Sequence, residues 1–188
     1  MVSVPRVKTA LVTGAAKGIG RAIALKLARE GYSIALHYRA SSDEAFAVKL
    51  EIEALGVRAV TLSADLRDSS EAQTLVSSAH EQLGGLGVLV NNVGNYVRKP
   101  LAELTVIDWH EMLDSNLNAA FYTCHAALPI MRAQGYGRIV NLGFAGAQNL
   151  IARPNILPYA IAKTGIILLT KSIAQSEAAT GKIFARCW

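Results

Sequence analysis

Two residue sets in this chain have types and spacings suited to chemistry. The first is Tyr159-x-x-x-Lys163, four apart and therefore on one face of a helix. A free tyrosine titrates near about 10, so alone it is a poor source of phenolate at neutral pH. An ammonium close by favours the phenolate and is expected to lower that value, which suits the pair to general acid–base work. The second is Thr13-Gly14-Ala15-Ala16-Lys17-Gly18-Ile19-Gly20, between the apolar run Ala10-Leu11-Val12 and a segment with apolar residues at helical spacing. Glycines at a strand-to-helix turn let backbone N–H groups approach an anion, and the helix start adds unpaired N–H groups and partial positive charge. Alone, the glycines fit an ordinary turn as well as a phosphate cradle, and the Tyr-Lys pair occurs by chance in many helices.

The elements that must position these residues alternate. Strands are expected at 8–13, 32–38, 57–63, 86–91 and 137–142, and helices at 18–30, 43–55, 69–83, 105–134 and 157–179. Such alternation implies an α/β fold, a doubly wound parallel sheet joined by right-handed crossovers. Ser42-Asp43-Glu44 and Asp68-Ser69-Ser70-Glu71 read as helix starts, and Pro129 is expected to kink or shorten the fourth helix. Without a repeat or a low-complexity linker, residues 1–188 read as one domain.

Ligands in such sheets bind beyond the carboxyl ends of the strands. After the second strand come His37-Tyr38-Arg39-Ala40-Ser41-Ser42, with no acidic residue before Asp43. An acidic residue there suits free ribose hydroxyls, whereas arginine suits a 2′-phosphate. Arg39 and Ser41, with Lys17 in the glycine turn, therefore favour NADP(H) over NAD(H). Asp65-Leu66 follows the third strand and Asn91-Asn92-Val93-Gly94 the fourth, while Asn116 interrupts an apolar helical stretch.

Bulk properties narrow the classes. Hydrophobic residues make up 52% and charged residues 18%, a composition that suits a packed core. The net charge of +5 is scattered rather than interleaved with aromatics, which argues against a nucleic-acid surface. No apolar run approaches the roughly 18 residues of a membrane span. Met1-Val2-Ser3-Val4-Pro5-Arg6 lacks the layout of a secretory signal, so the expectation is a cytoplasmic protein. Cys124 and Cys187 are read as free thiols, and the four histidines lack metal-ligand spacing, so no metal is expected.

Taken together, Thr13-Gly14-x-x-x-Gly18-x-Gly20, Asp65, Asn91-Asn92-x-Gly94, Asn116 and Tyr159-x-x-x-Lys163 resemble the short-chain dehydrogenase/reductase family. The likeness is to the group containing 3-oxoacyl-(acyl-carrier-protein) reductases, and the segment at His37-Tyr38-Arg39 is similar to pteridine reductases. The resemblance implies a Rossmann-type fold, an NADP(H) cofactor and a small-molecule carbonyl substrate. It assigns the pyrophosphate to Gly14, Gly18, Ile19 and Gly20, the adenine to Asp65 and Leu66, and the ribose surroundings to Asn91 and Gly94. It makes Tyr159 the general acid, gives Lys163 the nicotinamide ribose, and has Asn116 hold a water in a proton relay. It also implies a homodimer or homotetramer.

Two departures stand out. The family's catalytic serine is replaced by Phe144, or by Gly143 if the register slips by one, and no serine or threonine lies between Phe144 and Tyr159. Relative to the family the C-terminus reads as truncated, with Ile183-Phe184-Ala185 beginning a sixth strand that is not expected to complete. A catalytically impaired dinucleotide-binding protein is therefore the alternative to a working reductase.

Overall fold

A computed structural model describes residues 7–188, so the reading of Met1–Arg6 lies outside the described residues. Six parallel strands form one sheet in the order β3-β2-β1-β4-β5-β6. They are β1 (Thr9–Val12), β2 (Ser33–Tyr38), β3 (Ala59–Ser63), β4 (Val88–Asn91), β5 (Gly137–Asn141) and β6 (Ile183–Cys187). The crossover helices are α1 (Gly18–Arg29), α2 (Ser42–Glu53), α3 (Ser69–Leu83), α4 (Val106–Met112), α5 (Ala119–Gln134) and α6 (Leu157–Glu177).

The period-two alternation of a strand decides which helix each residue meets. Ala10 and Val12 of β1, with Ile34 and Leu36 of β2, pack against Ala24, Leu25 and Ala28 of α1 and Val48 and Ile52 of α2. Leu11, Ala35 and Leu89 face the opposite way, into Leu75 and Val76 of α3, Ala127 and Met131 of α5 and Ile173 of α6. A sheet buried on both faces needs apolar residues on both, which is why β1 and β4 read as unbroken apolar runs. The expected start of α3 holds: the Asp68 carboxylate accepts from the Ser70 and Glu71 N–H groups at 2.7 and 3.2 Å.

The structure corrects the sequence reading in two places. The single helix expected at 105–134 is three pieces, with a π-helical segment, Leu113–Asn118, between α4 and α5. A wider turn of this kind re-aims side chains and often marks a functional position, and Asn116 lies inside it. Pro129 does not end the helix, which runs on to Gln134. The sixth strand also completes. Ile183–Cys187 pairs with β5 in register along its whole length, from Gly137↔Ile183 to Asn141↔Cys187.

Strand order reverses between β1 and β4, so the chain leaves those two strands toward helices on opposite faces of the sheet. The crevice between them opens where the glycine turn, Asp65 and Gly94 all lie.

Candidate active site

The turn after β1 is built around close backbone approach. Gly14 has φ +62°, and a Cβ there would press on Asn92 Nδ2 at 3.1 Å. Asn92 fills that space with purpose: its Nδ2 donates to the carbonyls of Thr13 and Gly14 at 3.0 and 3.2 Å. Thr13 Oγ1 in return accepts from the N–H groups of Asn92 and Val93 at 2.9 and 3.1 Å. The loops after β1 and β4 are thereby locked to one another. Lys17 precedes α1 without a side-chain cap, and the first turn, with Gly18, Ile19 and Gly20, holds no acidic residue. The amide end of that helix is therefore open to an anion.

Below the turn is a cavity of about 290 Å³ whose walls include Gly14, Arg39, Asp65, Leu66 and Gly94. The structure thus brings together five of the predicted residues. Lys17, Gly18, Ile19, Gly20, Ser41, Asn91, Tyr159 and Lys163 lie outside these walls. Lys17 is ion-paired with Glu44 at 2.6 Å on the surface, whereas Arg39 has no carboxylate partner within salt-bridge distance among the described residues. The Asp65 carboxylate is gripped by the Arg67 guanidinium, which holds it down to about 2. Arg67 also reaches Glu111 at 2.8 Å.

Asn91 turns inward. Its Nδ2 donates to Asn141 Oδ1 at 2.9 Å, its Oδ1 accepts from Thr123 Oγ1 at 2.7 Å, and Asn141 Nδ2 donates to Thr170 Oγ1 at 2.9 Å. This buried chain of satisfied amides ties β4 and β5 to α5 and α6, which carry the rest of the site. Burial pushes the neighbouring Cys124 thiol up to about 12, which makes it inert as a nucleophile.

Around Gly94 the chemistry-bearing side chains converge. Asn116 is fully buried, and its Nδ2 donates to the carbonyls of Asn95 and Met112 at 2.9 and 3.0 Å. Its Oδ1 has no partner among the described residues. A Cβ on residue 94 would collide with that oxygen and lie 3.5 Å from Lys163 Nζ, so glycine leaves both groups facing the same small space. Lys163 Nζ donates to the Leu142 carbonyl at 2.8 Å.

Tyr159 stands between two rings, Tyr96 at 5.0 Å and Phe144 at 5.6 Å, both edge to face. Here an expectation is corrected. Lys163 does not depress the Tyr159 phenol; burial raises it above its ordinary 10.0, and Tyr96 adds to the rise. The ammonium lies 5.7 Å from the ring centroid and is committed to a carbonyl. Burial also lowers Lys163 itself. Desolvation sets the direction for both groups. The two candidates for the serine position differ in their surroundings. At Gly143 a Cβ would meet Cys187 Sγ at 2.9 Å and the Trp188 carbonyl at 3.0 Å, whereas Phe144 faces Tyr159.

One residue escaped the sequence reading because it was weighed only as a metal ligand. His37 is buried at the end of β2; its Nδ1 accepts the Gly14 N–H at 3.1 Å, and Nε2 lies 3.0 Å from the Ala64 carbonyl. Only the neutral ring with its proton on Nε2 satisfies both contacts. Burial accordingly lowers its titration from 6.5. The unfolded chain therefore binds more protons below that value, and stability falls as pH drops through it toward the lower folded value. The expected slope is at most about 1.4 kcal/mol per pH unit. Thermal unfolding of wild type and His37→Gln across this range checks it: the difference between the two curves should narrow as pH falls, and a constant difference would exclude the link.

The sequence matches the family model for short chain dehydrogenases over residues 8–186. It is 39% identical over 174 residues to the 3-oxoacyl-[acyl-carrier-protein] reductase FabG of Staphylococcus aureus, covering 93% of this chain and 70% of that protein. Among solved structures, a short chain dehydrogenase from Burkholderia cenocepacia in complex with NADP superposes with a TM-score of 0.90 at 36% identity, covering 97% of this chain and 74% of that one. A blue fluorescent protein from a metagenomic library in complex with NADPH gives 0.88 at 37% identity, covering 96% and 72%.

Proposed function

The chain belongs to the short-chain dehydrogenase family, and on that premise we propose that it is an NADP(H)-dependent reductase converting a carbonyl to an alcohol, with Tyr159 as proton donor. The observation that carries the reading is the convergence at Gly94, where a buried, unpartnered Asn116 Oδ1 and Lys163 Nζ face one space below Tyr159.

The residues fit the cofactor. The open amide end of α1 with Gly18, Ile19 and Gly20 suits the pyrophosphate, the Asp65–Leu66 wall suits the adenine, and Arg39 suits a 2′-phosphate. When bound, the cofactor supplies the hydride. The protein's part is proton delivery and orientation. An ordinary phenol, titrating near about 10, is already neutral at pH 7, and burial shifts Tyr159 further the same way, so it holds the proton that the substrate oxygen needs in the reducing direction. Asn116 Oδ1 is an acceptor for a water through which Tyr159 recovers its proton, and Lys163, fixed by the Leu142 carbonyl, keeps positive charge beside that path.

Because the chain shares 39% identity with a 3-oxoacyl-thioester reductase, 3-oxoacyl thioesters are the first substrates to try, followed by small ketones and dihydropterins. Association through the helices around Asn116 and Tyr159, α4 with α5 and α6, which expose Ile107, Phe121 and Leu168, completes the proposal as a homodimer or homotetramer. Phe144 at the serine position supports a second reading, a protein that binds the cofactor without turnover.

Fluorescence titration and NADPH oxidation separate the two. Arg39→Ala is expected to weaken NADPH binding by about tenfold or more while scarcely changing NADH binding, since one charge-assisted contact to phosphate is lost. Equal losses for both cofactors would remove the 2′-phosphate assignment. Binding without oxidation across the panel would leave the non-catalytic reading.

A further inference from the structure

Resting on the reductase reading, we propose that the substrate carries a carboxylate next to a flat or apolar body, and that Arg98 and Arg153 hold that carboxylate. Beside Tyr159 is a cleft of about 360 Å³ whose walls include Tyr96, Arg98, Phe144 and Arg153. Its lining contains two guanidinium groups and neither Asp nor Glu. Neither arginine has a salt-bridge partner among the described residues, in contrast to Arg21, Arg67 and Arg132. Tyr159 itself does not line the cleft, but two of its walls, Tyr96 and Phe144, pack on the Tyr159 ring, and unneutralised cations that close to the proton donor favour an anion on the reacting molecule.

The cleft is organised rather than a chance meeting of two loops. The Lys99 N–H donates to the Asn155 carbonyl at 2.9 Å, tying the segment after β4 to the one before α6. Arg153 is placed over the Phe144 ring, its guanidinium carbon 5.3 Å from the centroid. A cation–π contact uses none of the guanidinium N–H groups, so those donors remain for a carboxylate. Tyr96 and Phe144 both pack edge-on against Tyr159. Their rings provide apolar walls for the body of a substrate whose carbonyl meets the Tyr159 hydroxyl. Phe144, which stands where the family places a serine, thus has a role: it seats an arginine.

The test pairs two ketones of nearly equal size, phenylglyoxylate and its uncharged methyl ester, with NADPH as reductant. The wild type is expected to favour the acid in kcat/KM by about tenfold or more, the scale of a charge-assisted contact, and the preference should shrink as salt is raised. In Arg98→Gln/Arg153→Gln the acid-to-ester ratio should fall by about the same factor. A wild-type ratio near one, or a ratio untouched by the double substitution, would overturn the carboxylate site while leaving the reductase reading intact. If neither ketone is reduced, calorimetric titration of benzoate decides the site separately. Binding that is lost in the double variant upholds it, and no binding to the wild type overturns it.

Discussion

Tyr159→Phe is expected to lower kcat for carbonyl reduction by about 10²–10⁴, the usual share of a positioned general acid, while leaving NADPH affinity and thermal stability nearly unchanged. The last two expectations give the experiment its force. The Tyr159 hydroxyl makes no hydrogen bond among the described residues, and what anchors the residue is the pair of ring contacts to Tyr96 and Phe144. Phenylalanine keeps both rings packed and removes only the proton. The titration of the residue adds a second signature. Burial raises it above 10.0, so reduction, which needs the phenol, should stay level through neutral pH and decline only in the alkaline range above the ordinary tyrosine value. Alcohol oxidation, which needs the phenolate, should rise over that same range. Steady-state rates in both directions against pH check this. A reduction rate that already falls between neutrality and the ordinary tyrosine value would mean that a depressed tyrosine, or another group, is the acid.

Much of this site was legible because it depends on order along the chain. In a parallel sheet every strand ends on the same side, so residues just after the apolar runs share one edge: Gly14, Arg39, Asp65 and Gly94, each following a strand, line one cavity. What stayed hidden depends on geometry that spacing does not encode. The π-helical turn around Asn116 has the composition of an ordinary helix, since Met112-Leu113-Asp114-Ser115 carries no breaker. The sixth strand was underestimated because Arg186 and Cys187 follow a short apolar run; pairing with β5 supplies the backbone partners that the residues do not advertise. His37 was invisible for a different reason. A buried histidine that braces a backbone amide has no sequence signature apart from a polar residue in an otherwise apolar strand. The Tyr-Lys pair failed in sign rather than in location. Four-residue spacing places the two on one face but says nothing of desolvation, nor of the Leu142 carbonyl that claims the ammonium.

Phe144→Ser has the second largest expected effect, and in the opposite direction. In the proposed mechanism the developing charge on a substrate oxygen is met by one side-chain donor, Tyr159. Removing a single donor from a comparable oxyanion site costs about 10²–10³ in rate, so supplying one to a site not yet shaped for it is expected to gain up to about 10² in kcat. Residue 144 is where the gain must be sought, because its side chain faces Tyr159, whereas a side chain at 143 would run into Cys187 and Trp188. The substitution also removes the ring that stacks on Arg153 and packs on Tyr159. Two such contacts are worth about 1 kcal/mol each, so a modest drop in Tm accompanies the gain. Phe144→Ala separates the two consequences, since it loses the ring without gaining a hydroxyl. The expected order in kcat for an uncharged ketone is serine above phenylalanine, with alanine no better than phenylalanine. Equal rates for serine and alanine would mean that the hydroxyl does not reach the reacting oxygen. Phe144 would then act through the arginine it seats, and the chain would be committed to a one-donor mechanism in which positioning by the cleft carries the burden that a second hydroxyl carries elsewhere.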